Sequence, residues 1–172
     1  MVRNFVEAKM STRMEPKTVR ESSVIVSYAV MPSDANPAGI VHGGVIMKHI
    51  DNTGAMVAVR HSRHFCVTAS VDRLDFHNPG FIGELLTFKS SLNLVGKSSM
   101  EIGVRVEAEN LLSAEVRHIA SAYLTYVCLG ENRKPMAVPE LLLETEADHR
   151  RNREAIQRRR VRIQEKNNEA AK

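Results

Sequence analysis

Met31-Pro-Ser-Asp-Ala-Asn-Pro-Ala-Gly-Ile-Val-His-Gly-Gly-Val-Ile-Met-Lys-His-Ile-Asp-Asn-Thr-Gly-Ala55 is the stretch on which the reading turns. Its first part, Pro32 to Gly39, is dense in turn formers and predicts a loop. From about Gly43 to His61 the pattern becomes helical. Val45, Ile46, Ile50, Met56, Val57 and Val59 are interleaved with Gly54, Ala55 and Ala58, so apolar or small residues cover most sides. Such a helix is expected to be buried.

The flanks supply what buries it. Residues 19–31 read as a strand, with β-branched residues in partial alternation. Downstream, 65–76, 84–95, 99–109 and 116–129 read as four further strands. Alternation is nearly strict in Met100-Glu-Ile-Gly-Val-Arg-Val-Glu107, which implies one buried face and one wetter face. Asn78-Pro79-Gly80, Gly96-Lys97-Ser98, and Asn110 with Ser113 mark the breaks. One strand, a buried helix and a run of four strands predict an α+β fold, with an antiparallel sheet wrapped around the helix.

Composition sets the bounds. The 172 residues are 43% apolar, ordinary for one folded domain. No stretch approaches the roughly 20 apolar residues of a membrane span. The segment Met1 to Thr18 has no signal-peptide apolar core, so the chain is expected to stay in the cytosol. Three parts are expected: an N-terminal extension at 1–18, the domain at 19–144, and a basic tail at 145–172. The tail reads as a mostly solvated helix that frays near its end. Asp148 to Lys172 holds nine Lys/Arg against four Asp/Glu, so the net +4 belongs to the tail, and the body is a poor candidate for nucleic acid. Cys66 and Cys128, each in an apolar run, read as buried, reduced thiols. No metal set is apparent.

Asp51 is the residue whose chemistry stands out. Met47, Gly54, Ala55 and Ala58 at i−4, i+3, i+4 and i+7 surround it with apolar or tiny neighbours. A carboxylate there needs partners or a function, and burial would tune it towards general-base work. The structural alternative pairs it with a buried donor such as His49 or Arg60. At the helix start, His42-Gly43-Gly44 can point free N–H groups at an anion or a carbonyl oxygen, or can simply ease a tight turn into the helix. Gly44 and Asp51 lie roughly 10 Å apart along the axis, so a site using both is more easily shared between subunits of a dimer. Asn36 is either a turn residue or an amide donor to a carbonyl or water.

In order, Pro32-x-Asp34-x-Asn36, His42-Gly43-Gly44 and Asp51 closely resemble the hotdog acyl-CoA hydrolase family. Further similarities are Val67-Thr-Ala-Ser-Val-Asp-Arg-Leu-Asp-Phe76 with Pro79, Gly96-Lys-Ser-Ser-Met-Glu-Ile102, Thr125-Tyr-Val127, and Pro135-Met-Ala-Val-Pro139. They span about residues 20 to 145. The resemblance implies a hotdog fold, five antiparallel strands around one helix, paired into dimers with two composite sites. Asn36 and Asp51 would then come from opposite subunits, and a trimer of dimers is the implied assembly. The implied reaction is hydrolysis of fatty acyl-CoA. Gly43 and Gly44 would stabilise the carbonyl oxygen. Asp51 would act as base, or as nucleophile through an anhydride, and Asn36 would orient water or thioester. No cofactor is implied, since CoA is part of the substrate. Candidates for contact with the CoA portion are His42, the turn Gly96, Lys97, Ser98 and Ser99, and Arg150 of the tail. The turn reads equally well as a solvated hairpin, and the tail arginines read better as part of a solvated, charged helix. Three rivals stand beside this reading: a non-catalytic acyl-CoA-binding regulator, a dehydratase using His42, and nucleic-acid binding through Arg158-Arg-Arg160.

Overall fold

The structure is a computed structural model that describes residues 14–170; most of the 1–18 extension lies outside the described residues. The described chain opens with a two-residue strand β1 (Lys17–Thr18), a single helical turn α1 (Val19–Ser22) and strand β2 (Val24–Ala29). The helical turn corrects the expected strand from residue 19. Thr18 and Glu21 form a capping box in which Thr18 Oγ1 accepts from the Glu21 N–H at 3.2 Å and the Glu21 carboxylate accepts from the Thr18 N–H at 2.7 Å. That reciprocal pair outweighs the β-branched preference of Val19 over so short a segment.

After a 3-10 turn at Pro32–Asp34 comes helix α2 (Gly43–Ser62), followed by β3 (Phe65–Phe76), β4 (Leu85–Val95), β5 (Ser99–Glu109) and β6 (Val116–Leu129). Strands β2 to β6 form the expected antiparallel sheet, and their order is β2-β4-β5-β6-β3. Ile46, Ile50, Val57 and Ala58 of α2 pack against Leu86, Phe88, Ile102, Val104, Leu124 and Tyr126 from the inner face. A two-residue strand β7 (Leu141–Leu142) pairs in parallel with β1. The last two residues of the expected extension therefore already belong to the folded body.

Helix α3 (Glu146–Ala170) is the expected tail helix and is exposed along most of its length, but one side of it is docked, which was not expected. It starts at a reciprocal pair between Thr145 and Asp148. It then lies along the outer face of the sheet. Tyr123 and Thr125, which it meets, alternate on β6 with Leu124 and Tyr126, which face α2. Ala155 is fully buried, and Asn152 Nδ2 donates to the Asn93 carbonyl at 2.7 Å. Arg158 donates to Glu101 at 2.7 Å and stacks on Tyr123 at 3.7 Å. The dispersed apolar residues gave no stripe wide enough to predict this contact, because polar side chains make most of it. Among the described residues no helix is long and apolar enough to cross a membrane.

Candidate active site

The loop before α2 is built by its own polar side chains. Asp34 accepts from the Tyr28 hydroxyl at 2.7 Å and the Met31 N–H at 2.8 Å, and these donors, Tyr28 first, hold its carboxyl below the usual range. Two residues on, Asn36 Oδ1 accepts from the N–H groups of Ala38 at 2.9 Å and Ile40 at 3.4 Å. The Asn36 backbone N–H also donates to the Ile40 carbonyl at 2.8 Å. Gly39 closes the turn at φ 76°, a conformation glycine adopts without strain. With its oxygen committed to the loop, Asn36 has its NH2 group left to donate. Asn36, Gly43, Ile46, Phe76, His77 and Asn78 are among the walls of a cleft of about 480 Å³.

At the helix start the two glycines part company. His42 caps α2, its ring Nδ1 accepting the Gly44 N–H at 3.0 Å. Gly44 is thus engaged within the chain, and the His42 ring is turned back over the helix rather than towards the cleft. Gly43 is the glycine that lines the cleft, as a first-turn residue whose N–H lies outside the helical hydrogen-bond ladder.

Asp51 lies eight residues beyond Gly43, about 12 Å along the axis, and is not among the walls of that cleft. Its carboxylate is half-buried and held by hydroxyls: Thr68 Oγ1 donates to Oδ1 at 2.5 Å, and the Tyr126 hydroxyl lies 3.2 Å from the same oxygen and 2.8 Å from the Asp51 carbonyl. Burial and the nearby carboxylate hold the Tyr126 phenol far above its ordinary range, so it remains a donor. The structural pairings considered for Asp51 are not made. His49 stacks between Tyr28 and Phe88, and Arg60 donates to the Ser23 carbonyl at 2.8 Å.

Sequence reasoning missed Thr68 and Tyr126. Thr68 and Tyr126 are register partners across β3 and β6 on the face towards α2. Both lie inside the quoted motifs, and period-2 alternation from buried Cys128 would have pointed Tyr126 inward. Thr68 was harder to read because the register of β3 slips immediately after it, between Thr68 and Ser70. Cys66 and Cys128 are free thiols and register partners, with Cys66 pushed up to about 11 by burial.

The remaining candidates lie elsewhere in the protomer. The Gly96-Lys97-Ser98-Ser99 turn is tied down by its backbone, Gly96 N–H to the Ser99 carbonyl at 2.7 Å and the Ser98 carbonyl to Cys128 N–H at 2.9 Å. Arg159 of α3 lies so close that a side-chain carbon at Gly96 would sit 3.1 Å from its guanidinium. Arg150 is exposed and pairs with Glu154 at 3.0 Å, beside a separate groove with Lys89, Arg105 and Arg151. None of these residues shares a cleft with Asn36 and Gly43. Among the described residues no cluster of three or more His, Cys, Asp or Glu is arranged for a metal ion.

Residues 38–115 match the thioesterase superfamily profile. An uncharacterized acyl-CoA thioester hydrolase of Bacillus subtilis is 37% identical, covering 84% of this chain and 84% of its own length. The chain belongs to the hotdog-fold acyl-CoA hydrolase family. A mouse cytosolic acyl coenzyme A thioester hydrolase is 41% identical over 80% of this chain, but the match spans only 36% of that longer protein. Among solved structures, an apo-hexameric acyl-CoA thioesterase superposes with a TM-score of 0.86 at 32% identity, covering 88% of this chain and 97% of its own. The hotdog architecture expected from the motifs is the one this family shares.

Proposed function

We propose that this chain hydrolyses fatty acyl-CoA to a free fatty acid and CoA, with Asp51 as the general base. The observation that carries the reading is the Asp51 carboxylate, fixed by the Thr68 and Tyr126 hydroxyls on a helix whose start offers the Gly43 N–H beside an oriented Asn36 amide. The thioester oxygen takes up negative charge against Gly43 as water attacks its carbonyl carbon. Asp51 removes a proton from that water, and Asn36 Nδ2 holds the water or the thioester in line. Collapse of the tetrahedral intermediate breaks the C–S bond, and the thiolate recovers the proton as CoA leaves. Gly44 has no part in this scheme, since its N–H is held by His42. No cofactor is required.

The separation of Asp51 from the Asn36 cleft supports a site completed by a second copy, with Asn36 from one subunit and Asp51 from the other. Edge strand β3 supports the pairing. It exposes Phe65 at 85%, with Val67 and Val71 beyond it, and Val59 links this strip to Met56 on α2. A trimer of such dimers is the proposed assembly, in keeping with the hexameric neighbour, and the cytosol is the proposed compartment. Arg158 and Arg162 bind the sheet rather than solvent, which speaks against a nucleic-acid role for the tail.

Thiol release from acyl-CoAs of increasing length, acetyl to palmitoyl, tests the reading in wild type and Asp51→Ala side by side. Turnover by wild type alone is expected. A variant that keeps a tenth of wild-type kcat would remove Asp51 as base. A wild type that turns over nothing, yet is stabilised by CoA, would instead favour a binding protein.

A further inference from the structure

Strand β3 carries two breaks of register, between Thr68 and Ser70 and between Val71 and Arg73. They bracket the residues that follow Thr68, the residue that holds Asp51. A doubly bulged strand is a locally weak part of a sheet, since bulged residues leave the ladder, and within one chain β3 is also the edge. Here it is held from the outer face. Asp72, the residue left out at the second break, accepts from Ser70 Oγ at 2.6 Å and from Thr125 Oγ1 at 3.0 Å. Arg162 of α3 completes the arrangement. Its Nη1 donates to Asp72 Oδ2, the oxygen that also accepts from Thr125 rather than the Oδ1 bonded by Ser70, and reaches Thr125 Oγ1 at 2.5 Å. Both members of the ion pair are largely shielded, with side chains 17% and 8% exposed.

Thr125 and Tyr126 are consecutive on β6, facing opposite sides of the sheet. Thr125 meets Asp72 and Arg162 outside, while Tyr126 meets Asp51 inside. Their partners across the ladder are Ser70 and Thr68, on either side of the first break. One guanidinium thus bonds both Asp72 and Thr125 at the step that follows Thr68. We propose that Arg162 is a positioning residue for the acid on α2. By fixing Asp72 and Thr125 it holds the bulged segment so that the Thr68 hydroxyl is presented to Asp51. The inference rests on the assignment of Asp51 above, and it gives the tail helix a part in the chemistry without any contact with substrate.

The test is a kinetic double-mutant cycle between Arg162→Ala and Thr68→Val, with Arg160→Ala, an exposed tail arginine, as control. A displacement of a few tenths of an ångström at Thr68 is expected to lower kcat about tenfold in Arg162→Ala, with KM within about twofold of wild type. Arg162→Lys, which retains a donor, should recover part of the loss, and Arg160→Ala should match wild type. Acting through Thr68, the Arg162 change should cost nothing further in the Thr68→Val background. A merely structural arginine would lower thermal stability and leave kcat per folded site intact, or add its full loss on top of Thr68→Val; either result overturns the proposal. Hydrogen–deuterium exchange over residues 66–76 supplies a readout independent of turnover. Faster exchange confined to that stretch in Arg162→Ala supports the clamp, and unchanged exchange overturns it. A wild type without thioesterase activity would remove the functional reading but leave this exchange result to decide the clamp.

Discussion

Thr68 Oγ1 donates to Asp51 Oδ1 at 2.5 Å, joining the edge strand of the sheet to the central helix through the acid assigned as base. The hydroxyl is bonded to the carboxylate rather than to backbone, so the strand fixes the rotamer of Asp51 instead of merely lying beside it. Tyr126 approaches the same oxygen from β6. Oδ1 is thereby occupied, and Oδ2 is the oxygen available to water.

Thr68→Val keeps the shape and removes the donor. The freed Asp51 carboxylate would gain rotamers that point it away from the water it is proposed to activate. A fall in kcat of about tenfold is expected, equivalent to about 1.4 kcal/mol of transition-state stabilisation, with KM little changed. Steady-state kinetics on the best acyl-CoA measure this. A kcat equal to wild type would show that Tyr126 alone suffices to orient the acid.

A shared site makes a second prediction that no single-chain site allows. Asp51→Ala and Asn36→Ala are each expected to be inactive. When the two are mixed under conditions that exchange subunits, every mixed dimer holds one intact Asn36–Asp51 site and one doubly damaged site. Equal mixing should restore about a quarter of wild-type activity, since half the dimers are mixed and each has one working site of two. Activity that stays at background after verified exchange would place both residues within one subunit's site or exclude one of them.

The candidate site was legible in the sequence where one residue's chemistry conflicted with its place, and illegible where it is built by pairing across strands. Asp51 stood out because a carboxylate sat among Gly54, Ala55 and Ala58 on a buried helix, and Asn36 and Gly43 because their motifs kept order and spacing. Thr68 and Tyr126 are ordinary strand residues until β3 and β6 are laid in register. The fold itself was readable because strand alternation and the small-residue helix agree with each other. One error and one omission have physical causes. A reciprocal cap turned Val19–Ser22 helical, and α3 docks through Asn152, Arg158 and Arg162, side chains that any composition-based reading assigns to water.

Gly54 is expected to tolerate no side chain. A Cβ there would stand 3.0 Å from ring carbons of Tyr126, itself fully buried and unable to retreat. Gly54→Ala would gain helix propensity of roughly 1 kcal/mol but meet an overpacking cost of about 1–3 kcal/mol, so a net loss of stability is expected. Any shift of the Tyr126 ring also moves its hydroxyl off Asp51, so kcat should fall with the melting temperature. A variant as stable as wild type and fully active would mean that Tyr126 has more freedom than its surroundings show.

The pH dependence of stability is set at a buried histidine away from the candidate site. His61 is fully buried at the end of α2, with Nδ1 2.8 Å from Ser22 Oγ and Nε2 3.0 Å from the Pro139 carbonyl. A carbonyl only accepts, so Nε2 carries the proton and Nδ1 takes the Ser22 hydroxyl, which leaves the ring neutral. Burial first, then the nearby Lys17, holds its pKa below the ordinary histidine value. The unfolded chain therefore binds this proton more readily than the folded one. Stability from His61 is complete above about pH 6.5, declines as pH falls through that value, and continues to decline until the folded pKa is passed. His49 and His118 are also lowered by burial and add to the slope with the same sign. Urea unfolding at pH 7.5 and 5.5 should show wild type losing stability at the lower pH. His61→Gln, less stable throughout, should lose distinctly less between the two, and an equal loss in both proteins would assign the slope to the other two histidines.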